Sequence, residues 1–436
     1  MTERIEGRSS PAEERVEPET ERPAPPGARA RALWTLADQA LSSAANAGLT
    51  IVLARTVSLT EYGAFALAFS VYSLVLSLSQ GAAGGVVLIR YSDASRPLHV
   101  RAGATAAGSA VLMGALAAVV TCLVGLVVGA PLRGVLLAVG VLLPALVLQD
   151  CWRTVFFSRG DPRQAFLNDL LWVLLQAAGI AVLLARDVHS VLPYVAVWGV
   201  GAVVSALVGI RQNGCRPLFA PARRWFADHR EVSVPYVAEA IAALGATQIA
   251  FVLIAWLGAL ADVGALRAAT TLLGPVNIVG FAASNFAVPE LVKRRLSRRG
   301  LVRAAIALSL VLVVVDAAWG GVLLLLPDQI GTALLGETWH EARGVLPAMV
   351  VFTCTIGATT GVSAVTRALN RSNIAFLVTA IVGPLIVVCA SVGVVLDGSV
   401  GAAAGFALAG ILAIPPSWVL LAKAVRLGRR ETQPRR

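Results

Sequence analysis

Charged residues are scarce in this chain: Asp, Glu, Lys and Arg make up only 14% of its 436 residues. Hydrophobic residues reach 57%, and the mean hydropathy is +0.77. A soluble domain cannot bury that much apolar surface, whereas the hydrocarbon core of a bilayer accepts it. The composition therefore excludes a soluble protein and predicts an integral membrane protein.

Lysine is almost absent as well, being present only at Lys293 and Lys423. Arginine therefore carries most of the basic charge behind the formal net charge of +11. The arginines lie mostly in short connections and tails beside apolar segments, where they set membrane orientation and meet anionic headgroups. This placement predicts contact with membrane lipids and argues against nucleic acid as a partner.

The residues that usually build metal, nucleotide or hydrolytic sites are few. The four histidines are scattered, and the five cysteines show no CxxC spacing. No GxxxxGK[ST] motif is present, so ATP is not the expected energy source. The sequence therefore predicts no metal site, no cofactor and no catalytic residues, and it favours a transporter over an enzyme.

Apolar segments recur along the chain, and each is long enough to cross a bilayer. We predict twelve spans, near 33–54, 63–89, 103–129, 134–157, 164–185, 190–210, 233–257, 262–290, 302–326, 344–366, 373–396 and 400–422. Basic residues concentrate on alternate connections, which predicts that both termini are cytoplasmic. The expected fold class is all-α and multi-pass, located in the inner (plasma) membrane.

The chain also repeats itself. Segment 53–65 (LARTVSLTEYGAF) resembles segment 254–266 (IAWLGALADVGAL), and other short matches recur at a near-constant offset. This pattern predicts two six-helix bundles of equal orientation, related by an axis along the membrane normal. The expected organisation is a disordered cytoplasmic tail at 1–30, bundles at 31–211 and 233–425, a basic cytoplasmic linker at 212–232 and a basic cytoplasmic tail at 426–436.

A family resemblance lies in the first span and its turn. Leu36-Ala37-Asp38-Gln39-Ala40-Leu41-Ser42-Ser43 leads into Ala54-Arg55 and Glu61-Tyr62-Gly63-Ala64-Phe65, with Val365-Thr366-Arg367-Ala368-Leu369-Asn370-Arg371 in the second half. Over about residues 31–425 the chain resembles the multidrug/oligosaccharidyl-lipid/polysaccharide (MOP) exporters, and among them the O-antigen-type flippases. The resemblance implies two bundles around a central cavity that opens alternately to each side. It also implies export of an undecaprenyl-type pyrophosphate-linked saccharide for surface polysaccharide, such as lipopolysaccharide or exopolysaccharide.

Two acids occupy equivalent places in the two halves. Asp38 lies in the first span and Glu239 in the seventh, near the cytoplasmic side. An ionisable residue inside a span is costly and usually has a function or a partner. The pair could gate the cavity or couple transport to H+ or Na+, or it could bond to loop arginines. Asp150 and Arg153, three residues apart, are expected to form a local ion pair.

Two further charges fall inside predicted spans. Arg267 lies in the eighth span and Asp316 near the middle of the ninth. A guanidinium matches phosphate oxygens with two parallel hydrogen bonds, so Arg267 could bind the pyrophosphate of the substrate. Alternatively, Arg267 could reach the outer surface. Asp316 could neutralise Arg267 or face a polar groove.

Polar amides and a Gly-Pro pair complete the candidates. Gln248 and Asn277 could bind sugar hydroxyls, although such amides also bridge neighbouring helices. Gly274 and Pro275 lie mid-span, where a freed backbone carbonyl allows bending. They predict a hinge, with a static kink as the alternative.

Three functions are consistent with these residues. The favoured one is a flippase for a lipid-linked saccharide. A drug or metabolite antiporter coupled to H+ or Na+ would instead use Asp38 as its ion-exchanging acid. A membrane-embedded glycan polymerase or glycosyltransferase would need a sizeable outer loop with catalytic side chains, and the longest predicted outer loop is about 327–343. A non-transporting scaffold of the same fold is a further alternative.

Overall fold

A computed structural model describes residues 27–241, 245–277, 279–280, 283, 287, 291, 297–369 and 372–427. Within these ranges the chain is helical and contains no β-strand. The two predicted tails lie outside them, apart from residues 27–30 and 426–427.

The first half forms six long helices. They are α1 (Ala28–Thr56), α2 (Leu59–Arg90, with a π-helical turn at Gln80–Gly84), α3 (Arg96–Val127), α4 (Leu132–Ser158), α5 (Pro162–Ala185) and α6 (Val191–Asn213). A shorter helix, α7 (Phe219–Asp228), follows within the predicted linker. Each long helix closely overlaps a predicted span.

The second half is more interrupted. It comprises α8 (Arg230–Ala240), α9 (Ala246–Leu257), α10 (Leu260–Leu272), α11 (Arg298–Leu324), α12 (Asp328–Leu335), α13 (Thr338–Ala368) and α14 (Ser372–Leu427). Non-helical Asp397 and Gly398 divide α14 into two traverses. Helices α8 and α9 overlap the predicted span 233–257, and α10 overlaps the predicted span 262–290. The prediction of an all-α membrane fold with about twelve spans in two bundles is confirmed.

Two short helices were missed by the sequence pattern. Helix α7 lies in the stretch predicted only as a basic linker, and its Trp225 donates to the Ala82 carbonyl oxygen at 3.1 Å. Helix α12 lies in the predicted loop 327–343, where the indole of Trp339 donates to Asp328 at 2.8 Å. Both helices are too short to span a bilayer, so a search for span-length apolar runs does not find them.

We call the end of the bundles where α1 begins and α14 ends the terminal face, and the opposite end the distal face. The bundles meet closely towards the distal face, through α2 and α10. There, a Cβ added to Gly264 would lie 2.8 Å from the Leu59 carbonyl oxygen, and a Cβ added to Gly63 would overlap the Leu260 carbonyl. The glycines matched by the sequence repeat are therefore in direct reciprocal contact.

Candidate functional site

The first candidate site lies inside the first bundle, where three helices bring charged side chains together. Asp38 of α1 accepts two hydrogen bonds from Arg153 of α4, at 2.8 Å from Nε and 2.5 Å from Nη2. Asp169 of α5 lies 3.3 Å from the same Nε. The Asp38 side chain is fully buried, whereas that of Arg153 remains 18% exposed. One guanidinium therefore holds three helices together through two carboxylates.

Neutral polar groups satisfy the Asp169 carboxylate. Ser42 donates to Oδ2 at 2.5 Å and Gln149 donates to Oδ1 at 2.7 Å. Gln149 also lies 3.2 Å from the Asn168 side-chain oxygen. Both Asp169 oxygens are thus occupied, whereas Oδ1 of Asp38 is enclosed and has no hydrogen-bond partner.

A third carboxylate lies on the same side of α4. Asp150 is buried and accepts a hydrogen bond from Gln80 at 3.0 Å, in the π-helical turn of α2. The predicted local pair of Asp150 with Arg153 is therefore wrong: Arg153 turns instead to α1 and α5. The π turn places Gln80 against α4, a register that sequence spacing does not indicate.

Three of these groups border a partly open polar cavity of about 160 Å³. Its wall includes Asp150, Arg153 and Asp169, with Tyr72 and Trp198 on another side. We call Asp38, Asp150, Asp169 and Arg153 the carboxylate cluster. With three acids and one base, full ionisation would bury a net charge of −2, which a low-dielectric interior disfavours unless protons or cations neutralise it.

The sequence identified this site only in part. Asp38 was a candidate, but the side chain of its predicted partner Glu239 lies outside the described residues, although its backbone belongs to α8. Asp169 was not identified. As a carboxylate within the apolar span 164–185, it carried the same signal as Asp38.

The second candidate site lies between the bundles. Arg267 of α10 is partly buried, and its guanidinium carbon lies 4.7 Å from the centre of the Phe69 ring on α2. Its Nε is enclosed and has no hydrogen-bond partner. Thr270 and Thr271 each donate to the Arg267 carbonyl oxygen at 2.8 Å. Arg267 thus rests on an aromatic face and forms no ion pair among the described residues.

The other predicted substrate-binding residues are not joined to Arg267 by any described hydrogen bond or ion pair. Asp316 is buried in α11 and forms no ion pair with Arg267 in the described part of the chain. Gln248 of α9 has an enclosed side-chain oxygen without a partner, and Asn277 is exposed. A ligand would have to connect these groups if they form one site.

The Gly-Pro pair follows a break in the eighth traverse. Helix α10 ends at Leu272, and the helical path resumes at Gly274. A Cβ added to Gly274 would meet nothing within 4 Å. The ring of Pro275 removes one backbone donor, which accounts for an interruption at this point.

No protein family model matches the chain, and no curated protein does either. Solved structures with a similar fold exist. The lipid II flippase MurJ in an inward closed conformation has a TM-score of 0.70 at 11% identity, over 91% of this chain and 90% of that chain. An inward-facing multidrug resistance MATE family transporter of the MOP superfamily has a TM-score of 0.68 at 14% identity, over 92% and 100%.

An outward-facing conformation of a MATE family transporter of the MOP superfamily has a TM-score of 0.58 at 13% identity, over 92% of this chain and 96% of that chain. At these identities the likeness establishes the fold. The chain is thus a multi-pass integral membrane protein of the cell membrane with the two-bundle fold shared by these flippases and transporters.

Proposed function

We propose that this protein is a flippase that exports a lipid-linked saccharide across the plasma membrane by alternating access. The substrate class is an undecaprenyl-type pyrophosphate carrying a saccharide for surface polysaccharide assembly. The observation that carries the proposal is Arg267, an intramembrane cation at the contact between the bundles that pairs with no described carboxylate. Such a group calls for an anionic ligand.

The chemistry of Arg267 suits a phosphate. Its guanidinium can offer paired N–H donors to two phosphate oxygens, and its unpartnered Nε is one of these donors. Phe69 supports the charge through its ring face until a ligand arrives. The prenyl tail of the substrate would remain in the lipid while its headgroup enters between the bundles, where Gln248 and Asn277 could bind sugar hydroxyls.

The carboxylate cluster is the proposed coupling site, for H+ or Na+. Its excess of acids over bases gives a cation a reason to enter the cavity. Aromatic rings connect the carboxylate cluster to Arg267. The centre of the Phe69 ring lies 5.4 Å from that of Tyr72 and 6.1 Å from that of Trp198, and Tyr72 and Trp198 both line the cavity. A change of charge at the cluster can therefore be transmitted by packing to the proposed phosphate site.

The described conformation represents one end of the transport cycle. Its close contact towards the distal face, and its higher similarity to inward-facing than to outward-facing relatives, support a state closed on the distal side. We assign the terminal face to the cytoplasm because arginine is concentrated there. Segments 31–211 and 233–425 would rock as units joined by linker 212–232, with Gly274 and Pro275 as a hinge and Asp38 and Glu239 acting in gating or coupling.

A second candidate function is a cation-coupled antiporter for drugs or metabolites. The acid-rich cavity of the first bundle favours it, since an exchange of H+ or Na+ there could drive export of any cargo. A cationic cargo would be repelled by Arg267. Removing that charge should therefore aid antiport of a cationic drug and harm transport of a pyrophosphate.

The test compares Arg267→Gln, Arg267→Lys and Arg186→Gln, an exposed distal-face control, in a deletion strain. We expect the lipid-linked saccharide to accumulate on the cytoplasmic leaflet with Arg267→Gln, to accumulate less with Arg267→Lys, and to be cleared by wild type and Arg186→Gln. Normal clearance by Arg267→Gln would refute the phosphate site. No accumulation in the deletion strain, combined with new drug sensitivity, would favour the antiporter.

A further inference from the structure

The terminal face of the first bundle carries a basic cleft away from both sites above. The start of α3, the end of α4 and the end of α6 border a cavity of about 640 Å³. Arg96, Arg159 and Arg211 line it, one from each element. We call it the Arg211 cleft. Arg159 lies 3.7 Å from Asp161, whereas Arg96 and Arg211 have no ion pair among the described residues.

Two further features of the cleft suit an anionic headgroup. Helix α3 begins at Arg96 without a side-chain cap, with Pro97 removing one of its first-turn N–H groups, and a helix N-terminus attracts anions. Asn213 also lines the cleft, is only 7% exposed, and has an enclosed side-chain oxygen without a hydrogen-bond partner. Its amide nitrogen already donates to the Gly209 carbonyl at 3.0 Å, which leaves the side-chain oxygen as an acceptor for a donor such as a hydroxyl.

The cleft continues directly into an apolar groove. Arg211 and Gly214 also line a second cavity of about 640 Å³, whose remaining wall includes Val204, Leu207 and Val208 of α6. Leu207 is 58% exposed. Positive charge at a helix end beside an apolar groove along the same helix matches a molecule with a phosphate at one end and an acyl chain at the other.

The second bundle has a counterpart. Arg298 and Arg303 of α11 face Ala422 and Val425 near the end of α14, around a cavity of about 620 Å³. Helix α11 lies in the third predicted span of its half, as α3 lies in the third of the first half, and α14 ends the second half as α6 ends the first. The same pairing of helix ends therefore forms a basic cleft in both bundles.

We propose that the Arg211 cleft binds an anionic phospholipid with a hydroxyl-bearing headgroup, of the phosphatidylglycerol type. Arg96 and Arg211 hold the phosphate, the Asn213 side-chain oxygen accepts a headgroup hydroxyl, and the acyl chain lies along Val204 and Leu207. Basic pockets between membrane helices are suited to such headgroups. This lipid is distinct from the transported substrate, because α6 makes no extensive contact with the second bundle.

The test measures lipid binding to the delipidated full-length protein in detergent by native mass spectrometry. The probes are dioleoyl phosphatidylglycerol, dioleoyl phosphatidylcholine and water-soluble glycerol phosphate. We expect wild type to bind phosphatidylglycerol at least tenfold more tightly than phosphatidylcholine. The double variant Arg96→Gln/Arg211→Gln should bind phosphatidylglycerol about 30-fold more weakly, if each arginine contributes about equally.

The matched control is Arg101→Gln/Arg163→Gln, which removes the same charge from exposed terminal-face positions outside the cleft. Equal weakening by both double variants would mean diffuse attraction and would overturn the site. Competition by glycerol phosphate at similar concentrations would identify a free anion instead of a lipid, and would also overturn it. Equal binding of the two phospholipids, or the absence of bound lipid, would likewise overturn the proposal.

A charge-neutral variant keeps the proposal testable if the arginine variant does not fold. Leu207→Trp fills the apolar groove while leaving every arginine in place. Phosphatidylglycerol affinity should then fall several-fold, with an unchanged size-exclusion profile. Unchanged affinity would exclude the groove as the acyl-chain site. Because none of these substitutions touches Arg267 or the carboxylate cluster, failure here leaves the transport proposal standing.

Discussion

Gly63 and Gly264 face each other across the contact between the two bundles. A Cβ built on either glycine would lie 3.3 Å from the backbone nitrogen of the other. Gly63 also faces the carbonyl of Leu260, in the first turn of the helix that contains Gly264. Gly264 likewise faces the carbonyl of Leu59, in the first turn of the helix that contains Gly63. The contact is reciprocal, as at an interface between two identical subunits, although both halves belong to one chain.

This geometry makes Gly63 sensitive to any side chain. Gly63→Ala should destabilise the described contact by about 1–3 kcal/mol, because the added methyl meets backbone that cannot rotate away. Hydrogen–deuterium exchange of 59–64 and 260–265 should rise. The control is Gly48→Ala, since a Cβ there would meet nothing within 4 Å. Identical exchange in the two variants would contradict the prediction.

The carboxylate cluster should depend strongly on Arg153. Arg153→Gln leaves buried Asp38 and Asp169 without their cation, which should lower the free energy of unfolding by about 3–5 kcal/mol if both stay ionised. Adding Asp38→Asn should recover part of the loss. Thermal unfolding in one fixed detergent and lipid mixture measures both effects, with exposed Arg163→Gln as the control. The cluster would not be stabilising if Arg153→Gln matched that control.

Phe69 connects the two proposed sites, so its ring should matter for coupling. Phe69→Leu retains an apolar side chain but removes the ring under Arg267 and the contacts with Tyr72 and Trp198. We expect transport to persist with a weaker dependence on the H+ or Na+ gradient. Transport in proteoliposomes at several imposed gradients measures this. Phe352→Leu, which alters an aromatic contact in the second bundle, is the control and should keep the full gradient dependence.

Asp316 is a buried acid whose ionised form lacks a described partner. Asp316→Asn should therefore leave the free energy of unfolding unchanged or raise it by about 1 kcal/mol, because a buried charge is removed. If Asp316 contacts the cargo, export should fall in the same variant. A variant that loses stability and transport together would indicate a structural partner instead.

His189 gives a pH-dependent contribution outside the spans. A hydrogen bond with the Thr56 carbonyl at 3.0 Å, and Asp187 at 3.2 Å, hold the pKa of His189 above its ordinary value of about 6.5. Because the pKa is raised in the folded state, the protonated imidazole stabilises that state below pH 6.5, and the stabilisation is lost as the pH rises through the folded-state pKa. Wild type should therefore have a slightly higher Tm than His189→Gln, and the difference should be larger at pH 5.5 than at pH 8.5. Equal Tm values at both pH values would mean that the contact does not persist in solution.

The spans and the repeat could be read from the sequence. The apolar length needed to cross a bilayer is a local property, so helices such as Pro162–Ala185 were predicted almost to the residue. The repeat identified Gly63 and Gly264 as equivalent because the two halves retain similar turns. Asp38 was found because a carboxylate within an apolar run is conspicuous.

The partners of those residues required the tertiary structure. Whether Arg153 pairs with Asp150, three residues away, or with Asp38 and Asp169 on other helices depends on helix rotation and on the π turn at Gln80–Gly84. Likewise, Arg267 resting on Phe69, and not beside Asp316, follows from the packing of α10 against α2. The sequence alone determined which residues enter the membrane, because insertion depends on local hydropathy. Only the tertiary structure decided which charges meet, because that depends on the relative rotation and register of helices far apart in the chain.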